Sequence, residues 1–454
     1  MISAPITMKR DSKSIAFVLL FLFVLVFQIK YYYLSARCSS SNSQDFSVHT
    51  GTEMQELEDV ELESTMIEQQ ISCDRSHYHY DICTVRGSTM LDPTTSTFFF
   101  NDSGNATVTK IRPYPRKWEN FTMSVTKELT VTSGVPTRTC HVRHESPALV
   151  FSAGAYTGNF FHDFNDGFIP LYITVNAVFG GSSDVVFVVS KARDWWVSKY
   201  ADLLRTFSKH QIINLDNDTA THCFPSATLG LISHGFMTMN PELIPNKKTL
   251  NDFRAFLSRA YGTNNPFTRG HPTSSPRVLL INRPRGVGRA LLNLEEVKLE
   301  LEKVGFDVVV FEPTPQTPMQ KAYALVDSSH AMIGIHGAAL THSLFLRPGS
   351  VFVQVVPLGA EWVSEVCFAN PARAMGLHYM EYRIRAEESS LIDKYGKEDM
   401  MIKDPVGFLK GKPWPQSIMD IYLKEQNVRL DLVRFRKCLK KAYKISKQFM
   451  DKEG

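Results

Sequence analysis

The stretch Ala331-Met332-Ile333-Gly334-Ile335-His336-Gly337-Ala338-Ala339-Leu340-Thr341-His342 passes from an unbroken apolar segment straight into small residues and two histidines. A short apolar run without polar alternation fits a strand buried on both faces, and the small residues after it allow a tight turn into a helix. Neighbouring segments repeat the pattern: strand Arg277 to Asn282, helix Leu294 to Val304, strand Asp307 to Phe311, helix Met319 to Asp327, helix from Ala338, strand Val351 to Val356. Strands alternating with amphipathic helices build a parallel, doubly wound α/β sheet.

A second series lies upstream, where Ala148 to Ala153, Asp184 to Ser190, Gln211 to Leu215 and Ala227 to Ile232 read as strands. Between the two series, residues 263–276 are too rich in Gly, Pro, Ser and Thr to form an element and read as a linker. The expected fold is therefore α/β, with two Rossmann-like domains, 73–262 and 277–454, facing a cleft suited to a ligand that both hold. The second domain ends in a basic helix from Asn427 to Met450.

The chain has 454 residues, 43% of them hydrophobic and 21% charged, enough to bury a sizeable core. Its 50 Lys and Arg against 46 Asp and Glu leave a net charge of +4, spread without the basic stripe of a nucleic-acid binder. Seven cysteines without paired C-x2-C spacing argue against a structural zinc fold.

Residues Ile15 to Leu34 are almost wholly apolar and long enough, at about 1.5 Å per residue, to cross a bilayer. Lys9, Arg10 and Lys13 precede them, so residues 1–14 are expected to be cytosolic, 15–34 a signal anchor and the remainder lumenal. The alternative is a cleaved signal peptide, against which the stretch ending Leu34-Ser35-Ala36 lacks a small residue at the first position of the cleavage pattern. Residues 35–72, Ser-rich and then acidic, read as a stem; Leu57, Val60, Ile67 and Ile71 at heptad spacing leave a short self-associating coil conceivable. Sequons at Asn101, Asn105, Asn120 and Asn217 all lie on the lumenal side, in an oxidising compartment where Cys73 and Cys83 are the best local disulfide pair. Cys140, Cys223, Cys367 and Cys438 leave their pairing open, and Cys38 is left over.

Three segments carry candidate chemistry. Asn282-Arg283-Pro284-Arg285-Gly286-Val287-Gly288-Arg289 follows a strand; its arginines can make bidentate contacts to a diphosphate while glycine lets the backbone approach. His336, Gly337 and Ala338 open the next helix, where N–H groups favour an anion, whereas His342 reads as packing. In the upstream half, Gly158-Asn159-Phe160-Phe161-His162-Asp163-Phe164-Asn165-Asp166 places a histidine and two carboxylates among aromatics. On a helix His162 and Asp166 share a face at i, i+4 and could deprotonate a hydroxyl, with Asp166 the first choice as base; Asp163 is better placed as a cap. A competing signal is Asp216-Asn217-Asp218 after an apolar strand, the D-x-D pattern that holds a divalent metal and a nucleotide diphosphate.

The segments GNFFHDFNDGFIPLY, INRPRGVGR and GIHGAALTHSLFLRPGSVFVQVVP resemble the plant branch of glycosyltransferase family 61, the xylan arabinosyl- and xylosyltransferases, over roughly Cys73 to Met450. The resemblance implies a GT-B fold and inverting, metal-independent transfer of a pentose from a UDP-sugar to xylan by a single-pass Golgi membrane protein. It places Arg283, Arg289, Gly288, His336, Gly337 and Ala338 at the donor site, and His162, Asp163 and Asp166 facing the acceptor. Arabinofuranosyl and xylosyl transfer both stay open. A catalytically silent glycan-binding partner of a Golgi synthase complex is the reading from a different class.

Overall fold

Successive side chains of the strand Ala331–Ile335 point to opposite faces, and both faces are buried. Met332 enters one apolar cluster while Ile333 and Ile335 enter another. The same division holds in Arg277–Ile281, where Leu279 and Ile281 face one cluster and Val278 and Leu280 the other. With Asp307–Phe311, Val351–Val356 and His378–Arg383 these strands form one wholly parallel five-stranded sheet. In chain order its strands run 2-1-3-4-5, so the order reverses between Arg277–Ile281 and Ala331–Ile335. A crevice opens at the carboxyl ends of strands at such a reversal.

The structure is a computed structural model that describes residues 70–101, 107–263, 265–267, 274–284, 286–410 and 416–453. The expected tail, signal anchor, nearly all of the stem, Asn105, Arg285 and half of the linker lie outside the described residues. Among the described residues no helix is long and apolar enough to cross a membrane.

The upstream half departs from a second Rossmann-like sheet. Ala148–Ser152, Val186–Ser190, Ile213–Asn214 and Ala227–Leu229 do pair in parallel, but Ile71–Asp74 and Ile82–Val85 extend that sheet antiparallel on one side. A further six-stranded sheet, absent from the sequence expectation, is built from Thr89–Asp92, Thr97–Phe100, Val108–Ile111, Leu129–Ser133, Val142–Arg143 and His222–Phe224. The two sheets share an apolar layer in which Val150, Val186 and Val188 meet Leu91, Phe98, Phe100 and Val131. Cys73 faces Cys83 across an antiparallel pair and is bonded to it, and Cys140 is bonded to Cys223; Cys367 and Cys438 are free.

On the other face of the parallel strands, Leu149, Phe151, Phe187 and Val189 join one cluster with Leu279, Met332 and Phe352 of the C-terminal sheet. The helix Leu250–Tyr261 ties the halves together: Leu250, Phe253, Phe256, Leu257 and Tyr261 form its buried stripe, and Thr249 and Asp252 make a capping box at its start. Its Arg254 reaches Asp327 and the carbonyl of Leu346 in the C-terminal half. The basic C-terminal helix, Leu432–Glu453, buries Phe435, Leu439 and Ala442 beneath the far face of the C-terminal sheet.

Candidate functional site

The loops after the first three strands of the C-terminal sheet line a pocket of about 500 Å³ with Asn282, Arg283, Pro284, Thr314, Ala338 and Ala339 on one wall; Gly158, Asn159, Phe160 and Lys199 of the upstream half form the other. Gly337 sits where the strand Ala331–Ile335 turns, and a Cβ there would collide with Nη1 of Arg283 and lie 3.3 Å from Nη1 of Arg289. Both guanidiniums therefore rest over the bare backbone of the glycine. Arg289 donates to the carbonyl of His336 at 3.0 Å, and its buried Nε has no partner. Among the described residues neither arginine is paired with a carboxylate. Burial lowers the pKa of Arg283, and burial together with the Arg283 charge pushes Arg289 down to about 9. Two half-buried, mutually repelling cations without a counter-ion cost stability in the free protein and suit a site whose anion arrives as ligand.

The loop is held in place at a cost of its own. Arg289 adopts φ +56, uncommon for a residue with a side chain, and its N–H is bonded to the carbonyl of Gln426. Gly288, at φ +73, has no room for a Cβ against the carbonyl of Lys424. Gly337 leads into a 3-10 helix, Ala338–Phe345, rather than the expected α-helix. His342 is indeed buried, stacked on Phe160 with centroids 4.2 Å apart.

His336 is buried at the same strand end. Gln354 donates its amide to Nδ1 at 3.0 Å, and Tyr379 donates to the amide oxygen of Gln354 at 2.8 Å, which fixes which way the amide faces. Nδ1 is then the acceptor and Nε2 carries the hydrogen. Burial, with the charges of Arg289 and Arg283, keeps the pKa of His336 well below its ordinary value, so the ring is neutral.

The second constellation lies in Phe160–His162 and the π-helix Asp163–Phe168 that continues it. Single π-turns of this kind recur at functional sites. His162 Nδ1 lies 2.7 Å from Oδ2 of Asp166, as the i, i+4 spacing anticipates. Asp166 is buried and also accepts from Tyr114 at 2.8 Å, from Asn165, and from Arg116 Nη1 at 3.3 Å. Burial would raise its pKa, but donation from His162, the positive charges and Tyr114 outweigh it and hold the carboxyl below its ordinary value. The carboxylate thus keeps a proton on His162 Nδ1 and leaves Nε2 as the basic atom.

Asp163 does not cap the helix. Asn159 does so, accepting from the N–H of Phe161, while Asp163 is buried and accepts from Tyr200 at 2.8 Å and from Trp196 and Gly158 at 3.2 Å each. Burial raises its pKa. The D-x-D pair is engaged elsewhere: Asp216 pairs with Lys127 at 2.7 Å and Asp218 with His222 at 3.1 Å, with Asn217 exposed between them. Among the described residues no group of three or more His, Cys, Asp or Glu is placed to hold a metal ion. Asn101 and Asn120 are also exposed.

Sequence reasoning missed Tyr114, Arg116 and Glu119, which reach the His162 cluster from a segment far upstream; a tyrosine between Pro113 and Pro115, followed by Arg116 and Trp118, was the available signal. It also missed Lys199, whose pKa burial lowers and which faces the arginine loop across the pocket. The family described as Glycosyltransferase 61 matches residues 158–353, a span that includes both constellations. Xylan glycosyltransferase MUCI21 of Arabidopsis thaliana is 39% identical over 400 residues, covering 83% of this chain and 80% of that protein. The chain belongs to glycosyltransferase family 61. It is a glycosyltransferase with a mixed α/β fold of several sheets. Two relatives in this family come from Oryza sativa subsp. japonica. Alpha-1,3-arabinosyltransferase XAT3 is 36% identical, covering 88% of this chain and 69% of that protein. Beta-1,2-xylosyltransferase XYXT1 is 34% identical, covering 83% of this chain and 84% of that protein.

Proposed function

We propose that this family 61 enzyme transfers a pentose, arabinofuranose or xylose, from a UDP-sugar to xylan with inversion at the anomeric carbon. The observation that carries the reading is the pair of unneutralised guanidiniums, Arg283 and Arg289, over Gly337 at the point where the strand order reverses. The xylan acceptor is supported by the names of the relatives. In this reading the halves 73–262 and 277–454 serve acceptor and donor respectively, in the manner of a GT-B enzyme.

The donor diphosphate lies against Arg283, Arg289 and the N–H groups after Gly337, with Lys199 approaching from the opposite wall. An acceptor hydroxyl gives its proton to His162 Nε2 as its oxygen bonds to the anomeric carbon. The bond from that carbon to the diphosphate oxygen breaks on the opposite face, and UDP leaves with the electron pair. The arginines neutralise the charge that develops on it. Asp166 orients His162 and stabilises the imidazolium.

Incubating the protein with UDP-pentoses and xylo-oligosaccharides and reading the mass shift tests the reaction; absence of any pentose addition across the panel would reject it. We further propose residence in the Golgi membrane through residues 15–34 with the remainder lumenal, supported by the disulfides and exposed sequon asparagines. A protease-sensitive C-terminal half in intact Golgi vesicles, with the upstream sequons Asn101, Asn105, Asn120 and Asn217 all unoccupied, would reject that orientation.

A further inference from the structure

Four aromatic rings from distant parts of the chain meet in a row beside His162. Tyr78 stacks on Trp118 with centroids 5.5 Å apart, Trp118 meets Phe236 edge-on at 6.2 Å, and Phe236 meets Trp362 edge-on at 6.0 Å. Two of them are open to solvent, Tyr78 at 69% and Trp362 at 55% exposure. Scattered exposed aromatics are ordinary, but a contiguous run of them on a surface marks a binding face.

Both constellations of the site are tied to this row. Arg116, whose Nη1 lies 3.1 Å from His162 Nδ1, has its guanidinium carbon 5.2 Å from the Trp118 centroid and 6.0 Å from that of Phe236. At the other end Trp362 belongs to the short helix Glu361–Ser364, and the Ser364 hydroxyl is 3.2 Å from His336 Nδ1. The charges alongside are matched within the protein: Arg116 pairs with Glu119 and Asp166, and Lys117 with Asp81. Among the described residues an anionic polymer would find no free counter-charge beside Trp118, and at the other end Glu361, next to Trp362, makes no ion pair but has its charge disfavoured by burial. A pyranose, with an apolar C–H face and hydroxyls at its rim, fits aromatic faces flanked by polar groups.

We infer that Tyr78, Trp118, Phe236 and Trp362 form a track for an extended, uncharged sugar chain, delivering one of its hydroxyls to His162. The inference rests on the acceptor-side role given to His162 above, and adds where the rest of the acceptor lies and why length should matter.

The test is calorimetric binding of linear xylo-, cello- and manno-oligosaccharides of increasing length to the full-length protein. Wild type is compared with Tyr78→Ala, Trp362→Ala and the double variant, with UDP affinity measured on each as a check of the fold. Wild type should bind xylo-oligosaccharides more tightly as they lengthen. The double variant should bind the longest about tenfold more weakly or worse, with UDP affinity unchanged. Trp362→Phe should retain most of the affinity, and Trp362→Leu, which keeps bulk without an aromatic face, should not. Equal affinity of wild type and double variant for a bound xylo-oligosaccharide overturns the track and leaves the xylan reading standing. Loss of cello- or manno-oligosaccharide binding in the variants, with no xylo-oligosaccharide bound by wild type, supports the track and removes xylan. If wild type binds UDP but no oligosaccharide of any series, the track is overturned.

Discussion

Gly337 and Arg283 compete for one small volume: a single added methyl at the glycine would overlap the guanidinium. Because the obstructed group is the far end of a flexible side chain, Gly337→Ala should displace Arg283 rather than unfold the sheet. UDP affinity should fall about tenfold or more, and the melting temperature should drop modestly because a side chain at the φ of +157 held by Gly337 is strained. Unchanged UDP affinity on calorimetry would show that the guanidinium over Gly337 takes no part in donor binding.

The two arginines should separate stability from binding. Arg289→Met removes a half-buried charge that has no counter-ion and that faces Arg283. In the absence of ligand the variant should melt at or above the wild-type temperature, because the unpaired charge is a cost to the free protein. Its UDP affinity should fall by about 10- to 150-fold, as expected for about 1.5–3 kcal/mol of charge-assisted hydrogen bonding. Arg289→Lys should restore only part of it, since a point charge lacks the planar fork. A variant that melts lower and binds UDP as before would make Arg289 a structural residue.

The C-terminal sheet was legible because burial on both faces turns each strand into a continuous apolar run, and alternating helices then dictate parallel order. The sheet made by Thr89–Asp92, Thr97–Phe100 and their neighbours was not. Its strands are two to five residues long, and Thr89–Asp92 finds its partner His222–Phe224 far along the chain. No local periodicity encodes such a pairing. In the site, His162 with Asp166 and the glycine–arginine loop were readable as motifs, since their spacing is local. Which carboxylate orients and which group is basic was not, because Tyr114 and Arg116, which saturate Asp166, come from a different sheet connection.

His162 and Asp166 should respond differently to mutation. His162→Ala removes the basic nitrogen but leaves Asp166 paired with Arg116 and Tyr114, so turnover should drop about 10²- to 10⁴-fold with little change in melting. Asp166→Ala leaves the buried Arg116 without one of its two carboxylates and should also cost roughly 3–5 kcal/mol of stability. Both variants need a pH–rate profile beside a urea melt. If His162→Ala turns over within tenfold of wild type, the base lies elsewhere. If Asp166→Ala is as stable as wild type, the carboxylate does not hold this corner together.

His342 should make the fold acid-sensitive. Its ring is buried against Phe160, Phe311 and Phe345, and Nδ1 lies 2.7 Å from the carbonyl of Ala339. Burial, aided by the Lys199 charge, pushes its pKa down to about 4 although the bond to Ala339 favours the charged form. In the unfolded chain a histidine titrates near 6.5. Between those values the unfolded state binds a proton that the native state refuses, so stability is flat above about 6.5 and falls as pH drops towards 4. At pH 5 this one ring accounts for a loss of about 2 kcal/mol relative to neutral pH. His342→Gln has no such proton to refuse. It should be less stable than wild type at pH 7, where the packed ring is lost, and that deficit should shrink by about 2 kcal/mol in urea unfolding at pH 5. His336, also held neutral by burial, remains in both proteins and cancels from the comparison. A deficit of the same size at both pH values would mean that His342 takes up its proton in the folded protein as readily as in the unfolded one.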